Sequence, residues 1–290
     1  MITDLAPRAR DAIERSPTGR QAGGGLKWLA RAGYAAHGLM YVTIGALAVM
    51  VATGNGDSEG ERLDGKGALH ELHQKPFGQV LLVLMAAGLV GFALWSFVQA
   101  TLNPEREGKG WLGPFWRIGR VLNGVIHGAL VAYAIGLITG TMAGGSGEED
   151  KAKAWSARLM SWDPWGKWIV GGIGVVFFVM AGWQLWLAWK AKLDERLDLD
   201  RLREATRAIV VNVCRLGIAA RAVVSALIGT GLVIAAFPAD PNRVQDAAGA
   251  VDRIRHAPFG PILLVAVGVG LAAFGVYQLI EAQYRRIKPV

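Results

Sequence analysis

The chain has 290 residues, of which 52% are hydrophobic and 19% charged, and the charged share is below the roughly 25% of soluble domains. The net charge of +8 would suit nucleic acid, but the basic residues are grouped between long uncharged segments, which excludes nucleic acid as the expected partner. The one cysteine, Cys214, excludes an internal disulfide and a metal site built from several thiolates.

Six segments contain no Asp, Glu, Lys or Arg, and they cover residues 32–56, 76–104, 121–147, 168–189, 222–239 and 256–280. A bilayer core about 30 Å thick is crossed by a helix of about 20 apolar residues. Five segments exceed that length, and the shortest follows Arg221, whose long side chain can extend toward the surface. Helices of a soluble core would need a polar stripe, which these segments lack. The sequence therefore predicts an all-α protein with six transmembrane helices.

Residues 1–27 contain five basic residues and no apolar stretch, so we expect a flexible tail without a cleavable signal peptide. With six spans, the side that holds both termini carries 20 Lys and Arg residues, and the other side carries 10. The positive-inside rule then places both termini in the cytoplasm of a multi-pass inner or plasma membrane protein. Basic residues on that side would also attract anionic lipid head groups.

The even-numbered spans share two sequence features. Each opens with a triplet of Pro, an aromatic residue and Gly, at 76–78, 164–166 and 258–260. Nineteen residues after each Pro, a second aromatic residue precedes a polar one, in the pairs Trp95-Ser96, Trp183-Gln184 and Tyr277-Gln278. We interpret the Pro as part of the first helical turn and the two sets of aromatic residues as belts at the membrane interfaces.

The odd-numbered spans repeat as well, because each begins with an Arg and carries a second basic or imidazole group about two turns deeper. These pairs are Arg31 with His37, Arg120 with His127, and Arg215 with Arg221. Two-helix units that begin and end on the same side are parallel repeats about an axis along the membrane normal. The sequence thus predicts a pseudo-threefold bundle.

The predicted domain order follows from these repeats. After the tail, repeat 1 covers 28–103, repeat 2 covers 104–192, a cytoplasmic linker helix covers 193–208, and repeat 3 with a short cytoplasmic tail covers 209–290. Within each repeat, the loop between the two spans ends in an amphipathic pattern, as at Ala68, Leu69 and Leu72. We expect short helices there on the outer surface.

The first odd span reads Arg31-Ala32-Gly33-Tyr34 and continues to His37-Gly38, and the last even span ends Tyr277-Gln278-Leu279-Ile280-Glu281-Ala282. Over about residues 28–286, these features resemble the domain-of-unknown-function family numbered 1206. The resemblance implies a two-helix membrane unit present three times. His37 stands where that family often has an Arg, and the second and third copies depart further from its pattern. The resemblance implies no activity.

The candidate ligand-binding residues are His37, His127 and Arg221, because an ionisable group inside a span is a functional hypothesis by default. Each lies about 9 Å inside the predicted boundary and has a polar neighbour four residues away on the same face, namely Tyr41, Asn123 and Ser225. Three such groups around an axis would bind an anion or a lipid phosphate, or would pass protons. Alternatively, Arg221 reaches the surface and the two His are satisfied by hydrogen bonds between helices.

The sequence contains few features that are typical of an enzyme. No span holds a pair of carboxylates or a nucleophile beside a base, so we predict no catalytic residues and no cofactor. His70, Glu71 and His73 have a weak metal-binding pattern, and we predict no metal there. We expect Glu281 to pair with Arg215 or Arg221 or to stay solvated.

We therefore predict a non-enzymatic accessory, scaffold or lipid-interacting protein. Its expected partners are anionic lipids, a membrane protein or further copies of the chain. The alternative is a small transporter or channel for an anion or proton.

Overall fold

The computed structural model describes residues 17–54, 63–102, 113–141, 157–162, 165–190, 197–198, 203–236, 254 and 257–285. Within these ranges the chain forms α1 (Pro17–Ala52), α2 (Gly65–Gln74), α3 (Gly78–Leu102), α4 (Gly113–Ile138), α5 (Gly166–Lys190), α6 (Glu204–Ala236) and α7 (Gly260–Tyr284). Every helix except α2 is long and apolar enough to cross a membrane. Among the described residues the only β-structure is one isolated bridge. The prediction of an all-α protein with six spans is confirmed.

The six spans lie side by side in an arc, in the order α4, α3, α1, α7, α6 and α5. The two spans of the first repeat pack together, as do those of the third, and each repeat packs against the next. The second repeat differs, because α4 and α5 do not pack closely along their described length and meet through the rings of Trp116 and Trp183. The predicted ring of three repeats is therefore present but open at one position. We call the end at which α1, α4 and α6 begin the basic end, because Arg31, Arg120 and Arg215 lie there.

A close approach of two backbones joins α1 of the first repeat to α7 of the third. A Cβ atom on Gly38 would lie 2.7 Å from the carbonyl oxygen of Gly275, which is closer than side-chain carbons come to such atoms. Gly45 meets Gly268 in the same way two turns further along. Small residues are needed here because they let the two backbones touch.

A short helix covers the end of the bundle opposite the basic end. Asp64 caps α2 by accepting from the backbone N–H groups of Lys66 and Gly67 at 3.1 and 2.9 Å. Ala68 and Leu69 are buried against α1, α3 and α4. The structure thus has the predicted amphipathic helix in the first repeat.

The aromatic triplets form turns just before the even spans, which corrects the interpretation of the Pro as a helical residue. The helices begin at the Gly, and Phe77 and Phe259 adopt left-handed φ angles of 60° and 61°. The Gly78 N–H donates to the carbonyl of Lys75 at 2.7 Å, so the chain turns directly from α2 into α3. Pro164 lies outside the described residues.

One of the two predicted aromatic belts is wrong. The triplet aromatics are exposed, with Phe77 84% accessible, as expected at an interface. Of the second set, Trp95 and Tyr277 are buried. The Trp95 indole N–H donates to the Tyr34 hydroxyl at 3.2 Å, because this face of α3 packs on α1. A buried polar tip needs such a partner, so Trp95 joins the two spans of the first repeat.

Two further predictions need correction at the basic end. The tail predicted over 1–27 is helical from Pro17, because α1 continues without a break through Gly25. The helix predicted over 193–208 does not run through Leu197, which is extended and bridges Arg285, while the Asp198 N–H donates to the carbonyl of Tyr284 at 2.8 Å. Residues 1–16, 193–196, 199–202 and 286–290 lie outside the described ranges.

Candidate functional site in the polar layer

Three spans bring the predicted ionisable residues into one layer of the bundle. His37 comes from α1, His127 from α4 and Arg221 from α6. His37 is 2% and His127 5% exposed, and Arg221 is half-buried. These polar side chains therefore face protein, as expected for polar residues within a span.

Aromatic rings fill the layer around His37. The Phe92 ring lies parallel to the His37 imidazole with centroids 4.2 Å apart, and the His127 and Tyr41 rings meet it edge-on at 4.7 and 4.9 Å. Phe92 also contacts His127, at 4.6 Å. Ring pairs at these separations are in contact, so the layer is a packed cluster on this side of the arc.

Each imidazole has one bonded and one unbonded nitrogen. The side-chain amide of Gln278 in α7 donates to His37 Nδ1 at 2.5 Å, so Nε2 carries the proton of a neutral His37. His127 Nδ1 donates to the carbonyl oxygen of Asn123 at 2.8 Å, which leaves the lone pair on its Nε2. Neither Nε2 atom has a hydrogen-bond partner among the described residues.

Arg221 points into the bundle. Its guanidinium carbon lies 4.8 Å from the centre of the Phe274 ring and 5.8 Å from that of Tyr41. Cation–π attraction stabilises the charge in this position. The guanidinium has no ion pair or hydrogen bond to any residue in the described ranges.

The nearest carboxylate pairs elsewhere. Glu281 forms a buried ion pair with Arg285, one turn later in the chain, and the Arg285 guanidinium lies 4.8 Å from the Tyr34 ring centre. The predicted pairing of Glu281 with Arg215 or Arg221 is therefore wrong. The pair lies at the basic end of α7, and no described carboxylate forms an ion pair with Arg221.

Of the six predicted site residues, four form one contact network: His37, His127, Tyr41 and Arg221. Asn123 contacts this network through its backbone carbonyl, which accepts from His127. Ser225 donates to the carbonyl of Arg221 at 3.0 Å and lies at the interface of α6 with α5.

On α2, two of the three residues in the weak metal-binding pattern contact other side chains. His70 Nε2 lies 2.9 Å from the side-chain amide of Gln74, and Glu71 pairs with Lys75 at 2.5 Å. The described residues contain no group of three His, Cys, Asp or Glu side chains placed to hold a metal ion.

Comparison with known proteins identifies the repeats. The family described as "Domain of Unknown Function (DUF1206)" matches this chain three times, over residues 32–103, 118–191 and 216–285. The chain belongs to this family. It is also 29% identical over 262 residues to the "Uncharacterized protein YxxB" of Bacillus subtilis (strain 168), an alignment that covers 90% of this chain and 92% of that protein. No solved structure matches the chain.

Within the described residues, one polar contact recurs at the same position between each pair of successive DUF1206 repeats. The polar residue after the second aromatic of every even span bonds to the next odd span, in the pairs Asn123 Nδ2 to Ser96 Oγ at 3.0 Å, Gln184 Nε2 to Ser225 Oγ at 3.5 Å, and Gln278 Nε2 to His37 Nδ1 at 2.5 Å. Sequence reasoning did not include Ser96, Gln184 and Gln278 in the site. Their threefold recurrence was the signal that would have found them.

Sequence reasoning also did not predict Phe92 and Phe274 as site residues. Apolar rings are expected throughout a membrane span, so nothing in the sequence marks these two. Phe274 lies beside both Arg221 and Tyr41, with its ring 4.8 Å from each.

Proposed function

We propose that this chain is a non-enzymatic membrane protein that binds anionic membrane lipids. The observation that best supports the proposal is the packed polar layer. On the side of the axis formed by α1, α3 and α4, the His37 imidazole is enclosed by Phe92, His127 and Tyr41. Close packing of this kind favours a binding or scaffold role over transport.

The opposite end supports the same conclusion. Helix α2 lies across α1, α3 and α4, and its Leu69 is almost fully buried among them. The side chains of Met40 and Leu130 lie close under Gly65 at the start of this helix. An axial path would therefore meet a second packed layer.

Arg221 supports the lipid component of the proposal. A charged side chain within a span is costly unless it has a counter-charge or reaches a polar region. Arg221 has neither a carboxylate partner nor a hydrogen bond among the described residues, and ring contacts alone stabilise its charge. A phosphate would supply the missing anion, because guanidinium and phosphate form paired hydrogen bonds.

The direct test measures which lipids stay with the protein. The chain is reconstituted in nanodiscs of phosphatidylcholine with a minor share of phosphatidylglycerol, re-extracted in mild detergent, and its retained lipids are quantified. We expect phosphatidylglycerol to be enriched several-fold over the bilayer, and Arg221→Gln to remove most of the enrichment. Arg158→Gln, at an exposed position of the opposite end, removes the same charge and serves as the control. Retained lipid of bulk composition would contradict the proposal.

Proton passage is the second candidate, and the two facing imidazoles favour it. His37 Nε2 and His127 Nε2 are both unbonded, and the two rings are in contact at 4.7 Å. This candidate predicts acidification of liposomes that contain the protein and a pH-sensitive dye, above an empty-liposome control. Joint replacement of His37, His127 and Arg221 would abolish it without loss of folding. Such a result would overturn the non-transport part of our proposal.

A further inference from the structure

The second repeat leaves a groove between α4 and α5. Its two spans form the two ends of the arc, and within the described ranges they are not a closely packed pair of helices, although one pair of tryptophan rings meets between them. Only 17% of the most apolar stretch of α5 is buried, compared with 33% to 56% in the other five spans. The arc is therefore open to the side at this place, and its inner surface can be reached from the membrane.

The walls of the groove are apolar and uncovered. On α5, Ile169, Gly172 and Val176 share the face of Trp183 and are all exposed. On α4, Leu122 and Ile126 share the face of Tyr133, whose ring lies beneath Lys66 of α2 on the inside of the arc. Tyr133 is buried there, whereas Leu122 and Ile126 are exposed, so the inside of the arc is open beside them. These walls would accept hydrocarbon.

The width of the groove favours an acyl chain over a helix. The Trp116 and Trp183 rings, one from each wall, meet with centroids 5.5 Å apart, in the halves of α4 and α5 nearest the basic end. A transmembrane helix needs a channel of about 10 Å along its whole length, and these two side chains block such a channel. An acyl chain is much thinner and fits beside them.

A polar group lies inside the opening. Arg221 contacts Phe274 and Tyr41 on the inner side of the arc and is only half-buried, so part of its side chain stays accessible. The Arg221 side chain leans toward the N-terminus of α6, as helical side chains do, and hence toward the head groups at the basic end.

We propose that this groove is the binding site of one anionic phospholipid, with its phosphate on Arg221 and an acyl chain between α4 and α5. The assignment rests on the proposed lipid-binding function and adds the place and the orientation of the lipid. The chemistry that recognises the lipid is a cation, without a counter-ion among the described residues, at the inner end of an apolar slot.

Two glycines of α5 provide a matched pair of variants. Gly172 and Gly182 both have open space where a Cβ would lie, so the first side-chain atom of a Leu at either position meets no neighbour. Gly172 is on the face of Trp183 and therefore in the groove. Gly182 is next to Trp183 in sequence, about 100° around the helix, and faces away from the groove. Gly172→Leu fills the slot, and Gly182→Leu adds the same side chain outside it.

The test repeats the nanodisc measurement with phosphatidylglycerol as the probe and adds the mass of the purified particle. We expect Gly172→Leu to lower retained phosphatidylglycerol at least three-fold and Gly182→Leu to leave it unchanged. Equal retention in the two variants would overturn the groove assignment while leaving the lipid-binding function in place. Absence of enrichment in the unmodified chain would overturn both.

The particle mass distinguishes other occupants of the groove. A particle of two chains that Gly172→Leu converts to one would show that a second copy covers the groove. A co-purified peptide lost in the same variant would show a protein partner. Either result would overturn the lipid assignment.

Discussion

The bond between Gln278 and His37 is the shortest polar contact between repeats, at 2.5 Å, and both side chains are buried. Gln278→Leu removes the donor at little change in volume and leaves His37 with no bonded nitrogen. An unsatisfied buried group costs about 1–3 kcal/mol, whereas side-chain hydrogen bonds between membrane helices average about 0.6 kcal/mol. We therefore expect Gln278→Leu to lower the free energy of unfolding by about 1–2 kcal/mol.

A double-mutant cycle separates the bond from other effects of the substitution. His37→Leu alone removes the ring contact with Phe92 and leaves the Gln278 amide without its hydrogen-bond partner. We therefore expect this variant to lose about 2–3 kcal/mol of unfolding free energy. In the double variant neither side chain of the pair is left as an unsatisfied polar group. The total loss of unfolding free energy should therefore be about 1 kcal/mol less than the sum of the single losses. The matched control is Gln184→Leu, whose bond to Ser225 is longer at 3.5 Å and should couple more weakly.

The assay is equilibrium unfolding in mixed micelles with increasing denaturing detergent, followed by the fluorescence of the tryptophans. A neutral Gln278→Leu variant, or single losses that add fully in the double variant, would refute the assignment of this bond as an energetic link between the first and third repeats.

Two further substitutions test the packing, each with a matched control. Gly38→Ala places a methyl group 2.7 Å from the Gly275 carbonyl oxygen. Thermal unfolding should show that this variant loses about 1–3 kcal/mol of unfolding free energy. The control, Gly128→Ala, places its methyl group in open space and should be neutral or stabilising by up to about 1 kcal/mol. Glu281→Gln removes the carboxylate from the buried ion pair with Arg285 and should cost about 3 kcal/mol in the same measurement. Glu71→Gln breaks an exposed pair of the same spacing and should cost less than about 0.5 kcal/mol; equal effects within either pair would contradict the packing described above.

The six spans could be predicted because a helix that crosses a membrane leaves a long uncharged segment, whatever its neighbours are. The polar layer could be predicted for the same reason, since His37, His127 and Arg221 are conspicuous within such segments. The contacts of these residues could not, because hydropathy does not state which helices meet. The second aromatic position shows this limit: Trp95 is buried against Tyr34, although an interfacial position was the ordinary expectation for a Trp near a span end.

The opening between the two spans of the second repeat could not be predicted from the sequence. The three repeats share their triplets and their polar positions, so the sequence predicted three equivalent hairpins. The difference arises from tertiary contacts of α5, which packs a narrow stripe that includes Gly174 on α6 of the next repeat and leaves its other faces uncovered. Likewise, the bridge between Leu197 and Arg285 joins two segments that are far apart in sequence, and only the fold brings them together.

The most direct test of the central claim is an experimental structure of the chain in nanodiscs that contain phosphatidylglycerol. Our account predicts a closed layer in which His37 contacts Phe92 and His127, and a lipid between α4 and α5 with its phosphate beside Arg221. A continuous file of water through the layer would contradict the account and favour transport. A closed layer with an empty groove would retain the packing and exclude the lipid site.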